Sequence, residues 1–239
     1  MTRLSIRAVH DRIGITPDQP GYGKTFGPRS KAALLAYITN TKAPALTADD
    51  FQEVGERLGV PAYKMRAVRA VEAPRGPYDD HGRPSILYER HVASRNTVPP
   101  GDHDAAHPAL FGRRGYGAGN YGAYDAQYDR LLAACVIDPD AALKGCSWGA
   151  FQVLGENAEA MHYADVLDMV KSLVVSERGH LECFARFVEM KNAQDELRAC
   201  RPGDPASCVP FVSLYNGKGF RAFNYHLNFA EALEKYAPG

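Results

Sequence analysis

Apolar residues recur along the chain at helical intervals, in runs separated by turns rich in glycine and proline. Near the start, Leu4, Ile6, Val9 and Ile13 fall at near-helical spacing, and the turn cluster TPDQPGYGKTFG follows. The run PRSKAALLAYI predicts a second helix, with Pro28 in the first turn, where its missing N–H costs nothing. After the linker TKAPALT, Thr47 is a good N-cap, and Asp49 and Asp50 suit the positive end of a helix. Phe51, Val54 and Leu58 form the apolar stripe of that helix, and Gly59 ends it. Pro61 opens the next helix, in which Met65, Val68 and Glu72 share one face.

Beyond the loop GPYDDHGRP, the run SILYERHV fits either a short strand or a helix start, and periodicity does not separate the two. Residues 95–121 are rich in Gly, Pro, Asp and His and predict a long irregular segment, a kind that often carries function. Helical spacing returns with Tyr124, Tyr128, Leu131 and Cys135. DPDAALKG predicts a short helix capped by Asp138, with Pro139 first. Further helices are predicted near 165–175 and 177–191, and FNYHLNFAEALEKYA closes the chain with Tyr225, Phe229, Leu233 and Tyr236 on one side. The class is mainly α with a little β. Residues 1–42 read as a small helical module, and residues 45–239 as the main domain.

Composition narrows the function. The chain has 239 residues, 45% of them hydrophobic, enough for a real core. Its 28 basic and 28 acidic residues cancel, which argues against a polybasic nucleic-acid or membrane-surface binder. No apolar stretch approaches the ~20 residues that span a bilayer. MTRLSIRAVHDRIG lacks the uninterrupted apolar segment of a signal peptide, so synthesis in the cytoplasm is expected, with no membrane insertion.

The five cysteines contain no C-x-x-C pair, so no structural zinc site is expected. Cys200 and Cys208 flank the turn-rich RPGDPAS and read equally well as a disulfide or as two reduced thiols. His103 and His107 stand at i, i+4 in HDAAH, but no glutamate lies between them and Pro108 follows. A zinc peptidase reading is therefore poor, and neither metal nor organic cofactor is expected.

Glu72 carries the most chemistry. It shares a face with Met65 and Val68, so its surroundings are partly apolar. It also lies near a helix C-terminus, where the macrodipole disfavours a further negative charge. Both effects raise a carboxyl pKa. An acid kept protonated near neutral pH can donate a proton to a leaving oxygen, as the general acid of glycoside hydrolysis does. The plain alternative is an exposed glutamate at a helix end.

Three later stretches bear on that choice. VEAPRG with DHGRPSILYERH, then SWGAFQVLG, then SLYNGKGF, resemble in order and rough spacing the N-acetylmuramidase domain of bacteriophage endolysins. The resemblance spans about residues 45–236 and extends more widely to the lysozyme-like superfamily. It implies a mainly α, α+β lysozyme-like fold: a helical catalytic domain with a small β element. Residues 5–40, with IRAVHDRIGIT and FGPRSKAALLAY, are similar to the peptidoglycan-binding repeat of cell-wall hydrolases. The alternative there is an ordinary helical hairpin.

The resemblance implies a peptidoglycan hydrolase that cleaves the β-1,4 bond between N-acetylmuramic acid and N-acetylglucosamine. Glu72 matches the family's catalytic glutamate, but Ala73, Pro74 and Arg75 follow it where the family carries serine and glycine. Arg75 would then lie near the sugar N-acetyl groups or a stem-peptide carboxylate. Glu89, in YERH, and Asp80, with its neighbour Asp79, are candidates for the second carboxylate. Inverting enzymes hold it about 6.5–9.5 Å from the acid and retaining ones about 5–5.5 Å. Glu89 reads equally as a buried ion-pair partner of Arg90 or another cation.

Tyr215 and Asn216 match the superfamily's Y-N pair, in which the hydroxyl approaches the acid and the amide contacts the glycan. Gln152 is a candidate for glycan hydroxyls. Trp148 is a candidate sugar platform that composition alone would sooner assign to the core. The expected partner is the glycan strand of peptidoglycan, met by a monomer acting in the periplasm on the cell wall. A holin-type release partner, or a secretion system with an immunity partner, would provide the route. The alternatives are a lytic transglycosylase on the same scaffold and a wall-binding protein with a degenerate cleft.

Overall fold

Local cap chemistry fixes most helix ends in the structure, a computed structural model that describes residues 3–112, 121–217 and 219–238. Helix α1 (Ile6–Arg12) starts where the Ser5 hydroxyl accepts the Ala8 N–H, and α2 (Pro28–Tyr37) opens on its proline. Helix α3 (Ala48–Leu58) carries a full capping box. The Thr47 hydroxyl takes the Asp50 N–H and the Asp50 carboxylate takes the Thr47 N–H. Gly59, at φ 63°, terminates α3, and α4 (Ala62–Glu72) follows at once.

SILYERHV turns out to be both of its readings in succession, strand β1 (Ile86–Tyr88) and then α5 (Arg90–Arg95), with Glu89 at the junction. Helices α6 (Gln127–Cys135) and α7 (Pro139–Lys144) lead to β2 (Cys146–Trp148) and β3 (Val153–Leu154). The sheet order is β1-β2-β3, antiparallel throughout, with Ile86 opposite Trp148 and Trp148 opposite Val153. Helices α8 (Val166–Val175) and α9 (Glu177–Met190) match the predicted runs.

The region after α9 departs from the sequence reading. RPGDPAS is a turn only over Arg201–Asp204, and helices α10 (Gln194–Ala199) and α11 (Pro205–Asn216) flank it. Asp204 caps α11 and Pro205 occupies its first position. Cys200 and Cys208 are both buried free thiols, and Cys200 Sγ donates to the Glu196 carbonyl. Nearby, the buried Lys64 ammonium donates to the carbonyls of Leu197, Arg198 and Cys200 at 3.3, 2.5 and 2.6 Å, closing the end of α10. Helix α12 (Tyr225–Tyr236) closes the fold and packs extensively on α4.

One continuous apolar core runs through the chain, from Val9, Leu34 and Ile38 to Met65, Phe184, Phe211 and Leu233. The N-terminal helices share it, and two ion pairs, Arg3–Asp138 and Arg12–Asp165, pin their edges. The exposed Arg12–Asp165 pair contributes at most about 1 kcal/mol, whereas Arg3 reaches the buried carboxylate of Asp138, and both add to the shared core. Asn40 adds a backbone bond to Gly82 and a side-chain bond to the Val174 carbonyl.

The hairpin between β2 and β3 rests on a glycine. Gly149 has φ 72°, and a Cβ there would stand 2.4 Å from His180 Nδ1. His180 is buried and neutral, its pKa pushed down to about 3 by burial. Its Nδ1 accepts the Ala150 N–H, and Nε2 donates to the Leu173 carbonyl. Gly149→Ala therefore combines left-handed strain with a clash, and should cost more than about 2 kcal/mol of stability in urea denaturation.

Candidate active site

Glu72 is the last residue of α4. The Ala73 N–H bonds back to the Arg69 carbonyl, and the Gly76 N–H to the Ala73 carbonyl, so the helix ends in a tight turn. The Glu72 side chain enters a cleft of about 200 Å³ lined by Val68, Val71, Phe211, Tyr215 and Phe229. The residue stays half-buried, so its carboxyl is reachable yet poorly hydrated. Burial in this apolar surround pushes its pKa up to about 7. One amide opposes the shift: Asn216 Nδ2 donates to Glu72 Oε1 at 2.8 Å, which favours the ionised form.

A relay of contacts aims Asn216. The ring of Tyr215 packs among Phe184, Phe187 and Phe211, and its hydroxyl donates to the Phe151 carbonyl at 2.5 Å. Phe151 is held in turn by Gln152, which adopts φ 48°, unusual for a non-glycine residue. Gln152 braces that conformation with its own amide. Oε1 accepts from Ser147 Oγ, and Nε2 donates to the carbonyls of Gly149 and Ser85. Ser85 Oγ donates to the Gly76 carbonyl, tying the hairpin to the turn after Glu72.

Four sequence expectations change here. Trp148 is 1% exposed, and its indole N–H donates to the Leu143 carbonyl, so it is core and offers no face to a sugar. Gln152 spends both amide donors inside the protein and has none left for glycan hydroxyls. The Tyr215 hydroxyl is turned to a backbone carbonyl rather than toward the acid, although burial and the nearby Glu72 both push its pKa up. Asn216, expected to contact glycan, is bound to Glu72 itself.

Glu89 is a second perturbed carboxyl, its pKa also pushed up to about 7 by burial. Arg95 pulls it down, and Glu156, bound to Arg95 and to Asn96, pushes it up. The expected Arg90 partner instead donates to the Pro108 carbonyl. His91 Nε2 is 3.7 Å from the Glu89 carboxylate. Tyr225, at the start of α12, lines the Glu72 cleft, and its half-buried phenol is acted on by both Glu72 and Glu89. The sequence reading used Tyr225 only as a stripe residue. Its place at the head of the stripe, beside the YNG run, was the available signal.

Asp80 and Arg75 lie elsewhere. A larger open pocket of about 590 Å³ is lined by Asp79, Asp80, Arg83, Tyr124 and Asp125, and it shares no lining residue with the Glu72 cleft. Asp80 is exposed there, away from the acid it was expected to serve. Asp79 is a turn-forming residue that accepts the His81 and Arg83 N–H groups and pairs with the Arg83 guanidinium. Arg75 lies over the Tyr124 ring at 4.7 Å, on the same side. His103 faces Asp102 and Asp138. Among the described residues no three His, Cys, Asp or Glu side chains converge on a metal position. Residues 113–120 of the long irregular segment lie outside the described residues.

Comparison with known proteins shows the family and the fold. A model of the N-acetylmuramidase family matches residues 61–237. The crystal structure of Burkholderia AP3 phage endolysin aligns over 98% of this chain and 98% of that one, at 29% identity and a TM-score of 0.68. No curated protein matches.

The raised pKa of Glu72 has a stability consequence. The folded state holds the proton more tightly than the unfolded chain, so stability falls as pH rises from 4.5 through about 7. The loss attributable to Glu72 is on the order of 3 kcal/mol. Glu72→Gln removes it. The variant should match the native protein in urea denaturation near about pH 4 and exceed it near about pH 8.

Proposed function

Because the chain belongs to the N-acetylmuramidase family, we propose that it cleaves the β-1,4 bond between N-acetylmuramic acid and N-acetylglucosamine, with Glu72 as the proton donor. The observation that supports this reading is a cleft glutamate whose apolar surround pushes its pKa up to about 7. At neutral pH a substantial fraction of Glu72 is protonated, and a protonated carboxyl beside the glycosidic oxygen can release the leaving sugar. As that C–O bond breaks, the ring flattens toward an oxocarbenium ion. Glu89 is the favoured second carboxylate, since Tyr225 links it electrostatically to the same cleft and Asp80 lines a different pocket.

Residues 1–42 are assigned a peptidoglycan-binding role, which would hold the cleft against its substrate. The reading makes the protein a wall-lysing enzyme of the endolysin type, reaching the wall through a holin-type release partner. A lytic transglycosylase would use the same acid and differ in its product, which ends in a 1,6-anhydro ring.

Purified sacculi test the assignment. Glu72→Gln should fold normally and clear them about 10²–10⁴-fold more slowly, the usual worth of a general acid. Wild-type turnover from that variant would sink the proposal. With Glu72 as donor, activity falls as pH rises through about 7. If Glu89 is the base, activity also falls as pH drops below about 7, and the profile becomes a narrow bell. Asn216→Leu removes a donor that favours ionised Glu72, so the alkaline limb should move to higher pH.

A further inference from the structure

Tyr225 has no assigned role, yet it lines the cleft that holds Glu72. The chain turns into α12 through Asn224 at φ 57°, and the Tyr225 N–H is held by the Phe220 carbonyl. The phenol is thereby fixed on the wall that α12 presents to α4, beside Glu72. Its hydroxyl has no hydrogen-bond partner among the described residues. A half-buried phenol oxygen that no protein group engages offers one donor and two acceptor sites to water. Glu72 lines the same cleft, and Glu89 lies within electrostatic reach of the phenol. A water bound there would have the polar partners that an ordered site requires.

We propose that Tyr225 is a positioning residue whose hydroxyl holds the water that attacks the sugar. This rests on the glycosidase reading given above. Glu72 gives its proton to the glycosidic oxygen, the bond from that oxygen to the anomeric carbon breaks, and the leaving sugar departs as an alcohol. The oxygen of the Tyr225-held water forms the new bond to the anomeric carbon, and its proton passes to ionised Glu89. Water is thus supplied in a fixed place, and the competing attack by the sugar's own 6-hydroxyl, which would give a 1,6-anhydro end, is suppressed.

The test is Tyr225→Phe, which keeps the ring and removes only the hydroxyl. On purified sacculi the variant should lose about tenfold or more in kcat with KM within about twofold, the pattern of an interaction made in the transition state. Mass spectrometry of the digest should show a larger share of 1,6-anhydro ends than the wild type gives. Unchanged kcat and an unchanged product ratio overturn the proposal. So does a loss shared between kcat and KM with no change in product ratio, which would mark a binding or structural role. Glu72→Gln run alongside separates the premises. If that variant keeps its activity, the glycosidase reading fails; if it is inactive while Tyr225→Phe behaves as wild type, only the water-holding role fails.

Discussion

A carboxylic acid held short of water at the end of α4, with one amide reaching it, is the constraint around which the rest of the site is arranged. Apolar side chains from α4, α11 and α12 surround Glu72, and among the described residues Asn216 supplies the one hydrogen bond to its carboxyl. That bond joins residues 144 apart in sequence, so the two helix ends must meet to within a fraction of an ångström. The hairpin secures the meeting. Gln152 fixes Phe151, the Phe151 carbonyl takes the Tyr215 hydroxyl, and the next residue along α11 is Asn216. The motifs SWGAFQ and YNG thus act largely through one another. Their side chains build the wall that positions the acid, and Trp148 and Gln152 are spent inside that wall.

The arrangement carries a cost. A buried acid that ionises near pH 7 destabilises the fold above that pH, and Glu89 adds to the effect in the same direction. The continuous core, which the N-terminal helices share, offsets it. Those helices also touch the site's surroundings directly. A Cβ on Gly82 would stand 2.9 Å from Thr41, and the Gly82 carbonyl takes the Asn40 N–H, so the loop beside the larger pocket is clamped by the end of the N-terminal unit. Glu177 makes a second tie. Its carboxylate takes the Leu46 N–H and pairs with Arg69 on α4.

What the sequence revealed was what local chemistry decides. Thr47 with Asp50, Gly59, Pro28 and Asp138 with Pro139 each act within one turn, and each fell where the pattern put it. Asp204 with Pro205 is the same signal as Asp138 with Pro139, but it lies inside RPGDPAS, whose glycine and prolines read as a turn-rich loop. The strands were harder still. Strands β2 and β3 are short, and β2 is buried on both faces, so no alternation betrays it. Glu72 was visible as an acid on an apolar face at a helix end. The bond from Asn216, the committed amide of Gln152 and the place of Tyr225 depend on long-range packing that no local pattern encodes.

Two acids with pKa values pushed to about 7 are each partly protonated near neutral pH, and an acid and a base need them to differ. The surroundings supply the difference. Glu72 is opposed in its upward shift only by a neutral amide, whereas Glu89 faces the Arg95 guanidinium. A bound glycan excludes water, which penalises each ionised carboxyl and at the same time strengthens every remaining charge interaction. The stronger of the two opposing partners is then the cation, even with Glu156 partly neutralising it. On the proposed reaction, substrate binding therefore favours the protonated form of Glu72 and the ionised form of Glu89, which is the division of labour that an acid and a base require. The departure at Ala73, Pro74 and Arg75 does not disturb this. Arg75 is drawn away to the Tyr124 ring, and the helix end is closed by backbone bonds that need no serine hydroxyl.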